Sequence, residues 1–300
     1  YSSGAAGDTK TRTSAGLLLE GGGGDVETAW RWFLDKAGKG DIVVLRASGS
    51  DGYNKYLPTL APVHSVASFV TKTREASSEK DLLSRIANAE GVFLAGGDQW
   101  NYVSRWKGTA LGKAIDEAYA RGVPVGGTSA GLAVLGEHAF SAERDTVTSA
   151  EALADPFHSK VTIESDFLHF SPMKGWITDS HFSKRDRMGR LLVWLARLQA
   201  AGKGNVRGIG IDEATAVMVD PTARAAVAGK ASVYVVRLEA PVKRCVPGKP
   251  LDGAEYSVCR IPAGTSFDWN STSNCAGASY KITVTDGVAR SSLPHSSLYL

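Results

Sequence analysis

Long apolar runs are missing from this 300-residue chain: nowhere do the roughly 18 to 20 uninterrupted apolar residues of a membrane-crossing helix occur, so no membrane partner is expected. Dense basic runs are missing too. The formal net charge is only +3 and the lysines and arginines are scattered, which argues against a nucleic-acid partner. No Cys-x-x-Cys pair or His/Cys cluster has metal-ligand spacing, so neither a structural zinc site nor a cofactor is expected. Cysteine is scarce, and Cys245, Cys259 and Cys275 all lie in the last fifth of the chain, enough for one disulfide with one thiol left over. The start, Tyr1-Ser-Ser-Gly4, has neither an initiator Met nor a charged-then-apolar leader. Both features favour a processed chain in an oxidising compartment, secreted or periplasmic, with the cytoplasm as the alternative.

What is present is an alternation of short apolar runs with helical patterns. Ala15 to Glu20 ends in four glycines and an Asp-led helical stretch from Asp25 to about Ala37. Asp41 to Leu45, Ser65 to Val70 and Gly91 to Ala95 repeat the strand signal, with helical spacing at Glu79 to Ala89 and Leu111 to Arg121. All-apolar strands separated by helices predict an α/β fold, a parallel sheet covered on both faces with its ligand site at the carboxyl ends of the strands. From about Ser232 the pattern becomes strand-like runs between turn-rich stretches. The expected organisation is therefore an α/β core over residues 1–231 and a β-rich extension over 232–300 packed on it. The glycine loops Gly21 to Gly24 and Gly96-Gly97 lack the spacing of a dinucleotide fingerprint or a P-loop, so nucleotide binding is not expected.

The chemistry concentrates in Gly126-Gly-Thr-Ser-Ala-Gly131. A serine after a buried strand, flanked by glycines and followed by a helix, has the form of a nucleophile elbow, with Ser129 lifted above the sheet. The N–H of Ala130 at the helix start and an N–H of Gly97 in Gly96-Gly-Asp-Gln99 are candidates for an oxyanion hole. The bland alternative is an ordinary strand-to-helix turn with Ser129 as a cap. Of six histidines, His181 stands at the end of a brief apolar run, where the elbow also sits, and is the candidate base. Arg207 to Glu213 is one more strand, ending in Asp212 and Glu213, either of which could orient the imidazole. Arg185, Arg187 and Arg190, by themselves, read as the solvated first turn of a helix running through Leu198.

Taken together, Gly96-Gly-Asp-Gln99, Gly126 to Gly131, Thr178-Asp-Ser-His-Phe182 with its three arginines, and Gly208-Ile-Gly-Ile-Asp-Glu213 resemble the cyanophycinase branch of peptidase family S51, over roughly Gly16 to Tyr234. The resemblance implies a flavodoxin-like core related to class I glutamine amidotransferases and a Ser129, His181, Glu213 triad in place of a metal. It further implies a homodimer and hydrolysis of cyanophycin, an Asp backbone bearing Arg on each side-chain carboxyl, to β-Asp-Arg dipeptides. Substrate contacts would map to Gln99, Asp179, Ser180, Arg185, Arg187 and Arg190, the guanidinium forks holding carboxylates and Asp179 receiving the substrate's arginine. Ser180 departs from the family's Gln, which puts the accepted side-chain substituent in question. An α-aspartyl exopeptidase acting on short Asp-x peptides is the alternative.

Overall fold

The computed structural model describes residues 1–271 and 274–300. Its centre is a run of five parallel strands in the order Ser65–Val70, Asp41–Arg46, Gly91–Leu94, Val125–Thr128, Leu17–Glu20. These strands are almost wholly buried, as continuous apolar runs require when helices cover both faces. Helix Ala110–Ala120 illustrates the local logic. Thr109 caps its start by accepting the Gly112 N–H, and Leu111, Ile115 and Ala118 fall on one stripe that packs into the core. On the opposite face, helix Glu27–Lys36 inserts Trp30, Phe33 and Leu34 against Phe93. Truncating any one of these large side chains to Ala would cost about 2–5 kcal/mol.

The parallel sheet does not end the architecture. Thr215–Val219 adds antiparallel to Leu17–Glu20 and carries Arg224–Gly229 and Ser266–Asp268 outward. A second sheet runs Val288–Ser291, Ala278–Thr285, Ala254–Pro262, Ser232–Leu238, Arg207–Ile211, Trp176–Asp179, His138–Phe140, Ile163–Ser165. Within it, Trp176–Asp179 and Arg207–Ile211 are parallel neighbours, and Ser232–Leu238, Ala254–Pro262, Ala278–Thr285 and Val288–Ser291 extend the sheet antiparallel from there. The β-rich extension foreseen from composition is thus hydrogen-bonded edge to edge with the strand that leads to Glu213. A stacked pair, Trp176 and Trp269 at 4.4 Å, ties it down further, and a Cys259–Cys275 disulfide cross-links the extension within itself. Among the described residues, no helix is long and apolar enough to cross a membrane.

Candidate active site

Four carboxyl strand ends converge on one small polar cleft. Val125–Thr128 delivers Ser129, whose backbone sits at φ 54, ψ −112, a conformation that non-glycine residues rarely adopt. The turn is possible because Gly127 and Gly131 lie backbone to backbone: a Cβ on Gly127 would stand 2.6 Å from the Gly131 carbonyl carbon, and one on Gly131 2.0 Å from Leu94 O. That contact is the physical content of the Gly-x-Ser-x-Gly spacing. The Ser129 N–H is engaged by Glu20 O at 3.1 Å. The N–H groups of Ala130 and Gly97, both in the cleft lining, have no acceptor among the described residues and are free to receive an oxyanion.

The second sheet supplies the other two groups. Trp176–Asp179 and Arg207–Ile211 run in register with Asp179 opposite Gly210, so His181 and Glu213 leave adjacent strand ends side by side. Ser129 Oγ lies 2.9 Å from His181 Nε2, and His181 Nδ1 lies 2.7 Å from Glu213 Oε1. An ionised Glu213 only accepts, which places the imidazole proton on Nδ1 and leaves Nε2 to take the serine proton. Burial holds His181 below its ordinary value of 6.5, only partly opposed by the hydrogen bond to Glu213, while Arg185 and Arg187 push it further down. The same hydrogen bond holds Glu213 below the usual carboxylate range. The two acids differ in what they touch. Asp212 accepts from the Ser183 N–H at 2.8 Å and the Ser232 N–H at 3.4 Å, a structural task, and Glu213 alone reaches the imidazole.

Two of the expected substrate contacts are engaged elsewhere. Asp179 is buried, and its carboxylate is held by Arg190 Nη2 at 2.6 Å, Arg190 Nε at 2.8 Å and Arg187 Nη1 at 3.3 Å, so it has no room for a substrate guanidinium. Arg190 is itself buried, donates to Thr146 Oγ1 at 3.0 Å, and packs its guanidinium over Phe140 and Trp194. Its expected role in the cleft is therefore corrected: helical spacing turns it inward, where an unpaired Asp179 would otherwise be intolerable. Arg187 is tied back to Ser180 O at 2.8 Å and Ser180 Oγ at 3.3 Å but still lines the cleft, and burial draws it down to about 10, cationic at neutral pH. Arg185 is exposed in the same lining, without a carboxylate partner among the described residues. Gln99 lines it too, donating to Phe140 O at 3.4 Å.

The Gly21 to Gly24 loop is a part of the site that the sequence did not disclose. Gly21 O accepts the His181 N–H at 2.8 Å and Gly22 O accepts the Ala214 N–H at 2.8 Å, so the loop joins both halves of the relay. Its signal, four glycines at a strand end, reads equally well as a ligand cradle.

Fold and site together define the class: an α/β protein with a serine-hydrolase constellation mounted on a nucleophile elbow. The chain belongs to peptidase family S51, whose sequence model matches residues 17–224. It is 30% identical over 166 residues to the cyanophycinase of Trichormus variabilis, covering 55% of this chain and 51% of that one. It is 29% identical over 164 residues to the cyanophycinase of Synechococcus elongatus, covering 54% and 46% respectively. The chain thus spans about half the length of the curated relatives it matches. In fold it is similar to the crystal structure of a peptidase from an acI-B1 Actinobacterium, with a TM-score of 0.57 at 17% identity, covering 86% of this chain and 98% of that one.

Proposed function

We propose that this protein is a serine exopeptidase that hydrolyses cyanophycin to β-Asp-Arg dipeptides through Ser129, His181 and Glu213. The observation that carries the reading is the unbroken relay from Ser129 Oγ through His181 to Glu213 at 2.9 and 2.7 Å, beside a cleft lined by Arg185 and Arg187. In this scheme Ser129 Oγ attacks the peptide carbonyl as Nε2 takes its proton, and Glu213 stabilises the imidazolium. The Gly97 and Ala130 N–H groups receive the oxyanion. The leaving amine recovers the proton from Nε2, and water then attacks the acyl-enzyme by the same route. Arg185 and Arg187 hold substrate carboxylate, which suits a chain-end unit better than the middle of a polymer.

One observation favours the second reading, an α-aspartyl exopeptidase or an enzyme for a different side-chain substituent. Among the described residues Asp179 is the sole acid in the cleft lining, and its oxygens are already taken by Arg187 and Arg190. Incubation with cyanophycin and with short Asp-x peptides, with Ser129→Ala as control and mass spectrometry of the products, separates the two. β-Asp-Arg from the wild type alone supports the first; cleavage of Asp-x peptides alone selects the second; no cleavage of either sinks both. Secretion or a periplasmic location is part of the proposal, supported by the paired Cys259 and Cys275 beside a free Cys245. Three titratable thiols in protein taken from its native compartment would overturn it.

A further inference from the structure

The loop from His181 to Arg187 carries the imidazole and both cleft arginines, and it runs into helix Met188–Ala200. Arg187 at the helix start gives no side-chain cap, so the first N–H groups need partners from elsewhere. They find them far away in sequence. The Met188 N–H donates to Tyr299 Oη at 2.7 Å, and the Arg190 N–H to Ser149 Oγ at 3.3 Å. Tyr299 Oη in turn donates to Asp186 Oδ1 at 3.2 Å, one residue before Arg187. Asp186 sits at φ 48, a strained position that the surroundings must hold.

The ring of Tyr299 is as well placed as its hydroxyl. It meets Phe182, the neighbour of His181, edge-on at 5.9 Å and 80°, and Tyr234 of the extension at 5.7 Å and 87°. Tyr280, on the extension strand Ala278–Thr285, donates to Leu298 O at 2.7 Å and so anchors the segment that presents Tyr299. Phe182 itself is fully buried. One side chain from beyond the family-matched region thus touches the active-site loop at both ends, at Phe182 and at Asp186 and Met188, which flank Arg187.

We propose that Tyr299 is a positioning residue for the reaction: its hydroxyl caps the helix and holds the loop so that Arg185 and Arg187 face the cleft, which gives the β-rich extension a role in substrate binding. This inference rests on the reading of Arg185 and Arg187 as carboxylate-holding groups. Tyr299→Phe keeps the ring packing and removes only the hydroxyl. The expected result is a KM for the cleaved aspartyl substrate raised about five- to tenfold, the scale of one or two lost hydrogen bonds, with kcat changed less than KM. Labelling of Ser129 by a small uncharged fluorophosphonate, which needs the relay but not the arginines, should stay within about twofold. A KM within about twofold of wild type, whatever happens to the melting temperature, would show that Tyr299 serves folding alone and overturn the inference. Wild-type protein that cleaves no aspartyl substrate would instead sink the proposed function. In that case amide hydrogen exchange over residues 182–190 decides: faster exchange there in Tyr299→Phe supports the tether, and unchanged exchange overturns it.

Discussion

Gly22 stands so close to His181 that a methyl group on its α-carbon would lie 2.6 Å from Nε2 and 3.0 Å from Ser129 Cβ. Its φ of +82° adds backbone strain to any such substitution. Gly22→Ala should therefore displace the imidazole and cost kcat about 100-fold or more, the usual consequence of misplacing a catalytic group by an ångström. Steady-state kinetics beside circular dichroism checks this. A folded Gly22→Ala protein of wild-type kcat would mean that the relay tolerates the shift.

The two acids at the end of Arg207–Ile211 should separate by phenotype. Glu213→Gln keeps shape but loses the charge that stabilises the imidazolium, so kcat should fall by about 10³–10⁴ with little change in melting temperature. Asp212→Ala strands the half-buried Ser183 and the buried Ser232 N–H groups, and should lower stability by about 1–3 kcal/mol. The reverse pattern in kinetics and urea denaturation would reassign the acid.

Arg185 and Arg190 should separate in the same way. Arg185→Ala, at an exposed site, should raise KM and leave the unfolding midpoint in place. Arg190→Ala removes the main partner of Asp179, both side chains being 3% exposed, and should destabilise the fold by about 3–5 kcal/mol. An Arg190→Ala protein as stable as wild type would return Arg190 to the list of substrate contacts.

His181 must be neutral to act as a base, so kcat/KM should rise with pH through an inflection below the ordinary 6.5. Burial sets that depression and Arg185 adds to it, so Arg185→Ala should move the acid limb upward. The stability consequence has the same sign. Between its folded and unfolded values His181 binds a proton only when unfolded, so stability is full above 6.5 and declines as pH falls below it. An acid limb above 6.5 in the wild type would contradict this environment.

Glu20 behaves oppositely. It is fully buried, with Oε1 accepting the Val26 N–H at 3.0 Å, and burial raises it from 4.5 to about 8. The folded state keeps a proton that the unfolded state loses above 4.5, so this contribution is full below 4.5 and is lost as pH rises through about 8. Glu20→Gln should flatten the alkaline decline, measured as the urea midpoint from about pH 6 to about pH 9. Parallel curves for the two proteins would exclude Glu20 as its source.

The parts of the site legible in the sequence are those whose physics is local. The elbow announces itself because its strained serine and the Gly127–Gly131 contact need specific residues at fixed spacing within five positions. Strand ends at Asp179 and Ile211 are likewise marked by apolar runs giving way to polar residues, which brought forward His181 and the pair Asp212 and Glu213. Helix Gly52–Leu60 escaped because Pro58 and turn-forming residues mask its period, and strands as short as His138–Phe140 carry too few residues to show one.

The sequence by itself determined the buried parallel strands, the glycine-bounded nucleophile and the candidates around it, since apolar periodicity and turn chemistry act between near neighbours. Only the tertiary structure decided which of them meet. Ser129 stands on one sheet while His181 and Glu213 stand on another, and the register that sets Asp179 opposite Gly210 is a pairing between distant segments. Arg190 and Arg185, five residues apart in one basic run, part company because helix geometry and the buried charge of Asp179 draw one inward and leave the other in the cleft. Contacts between segments remote in the chain, Tyr299 with Met188 among them, are set by packing, and no local pattern encodes them.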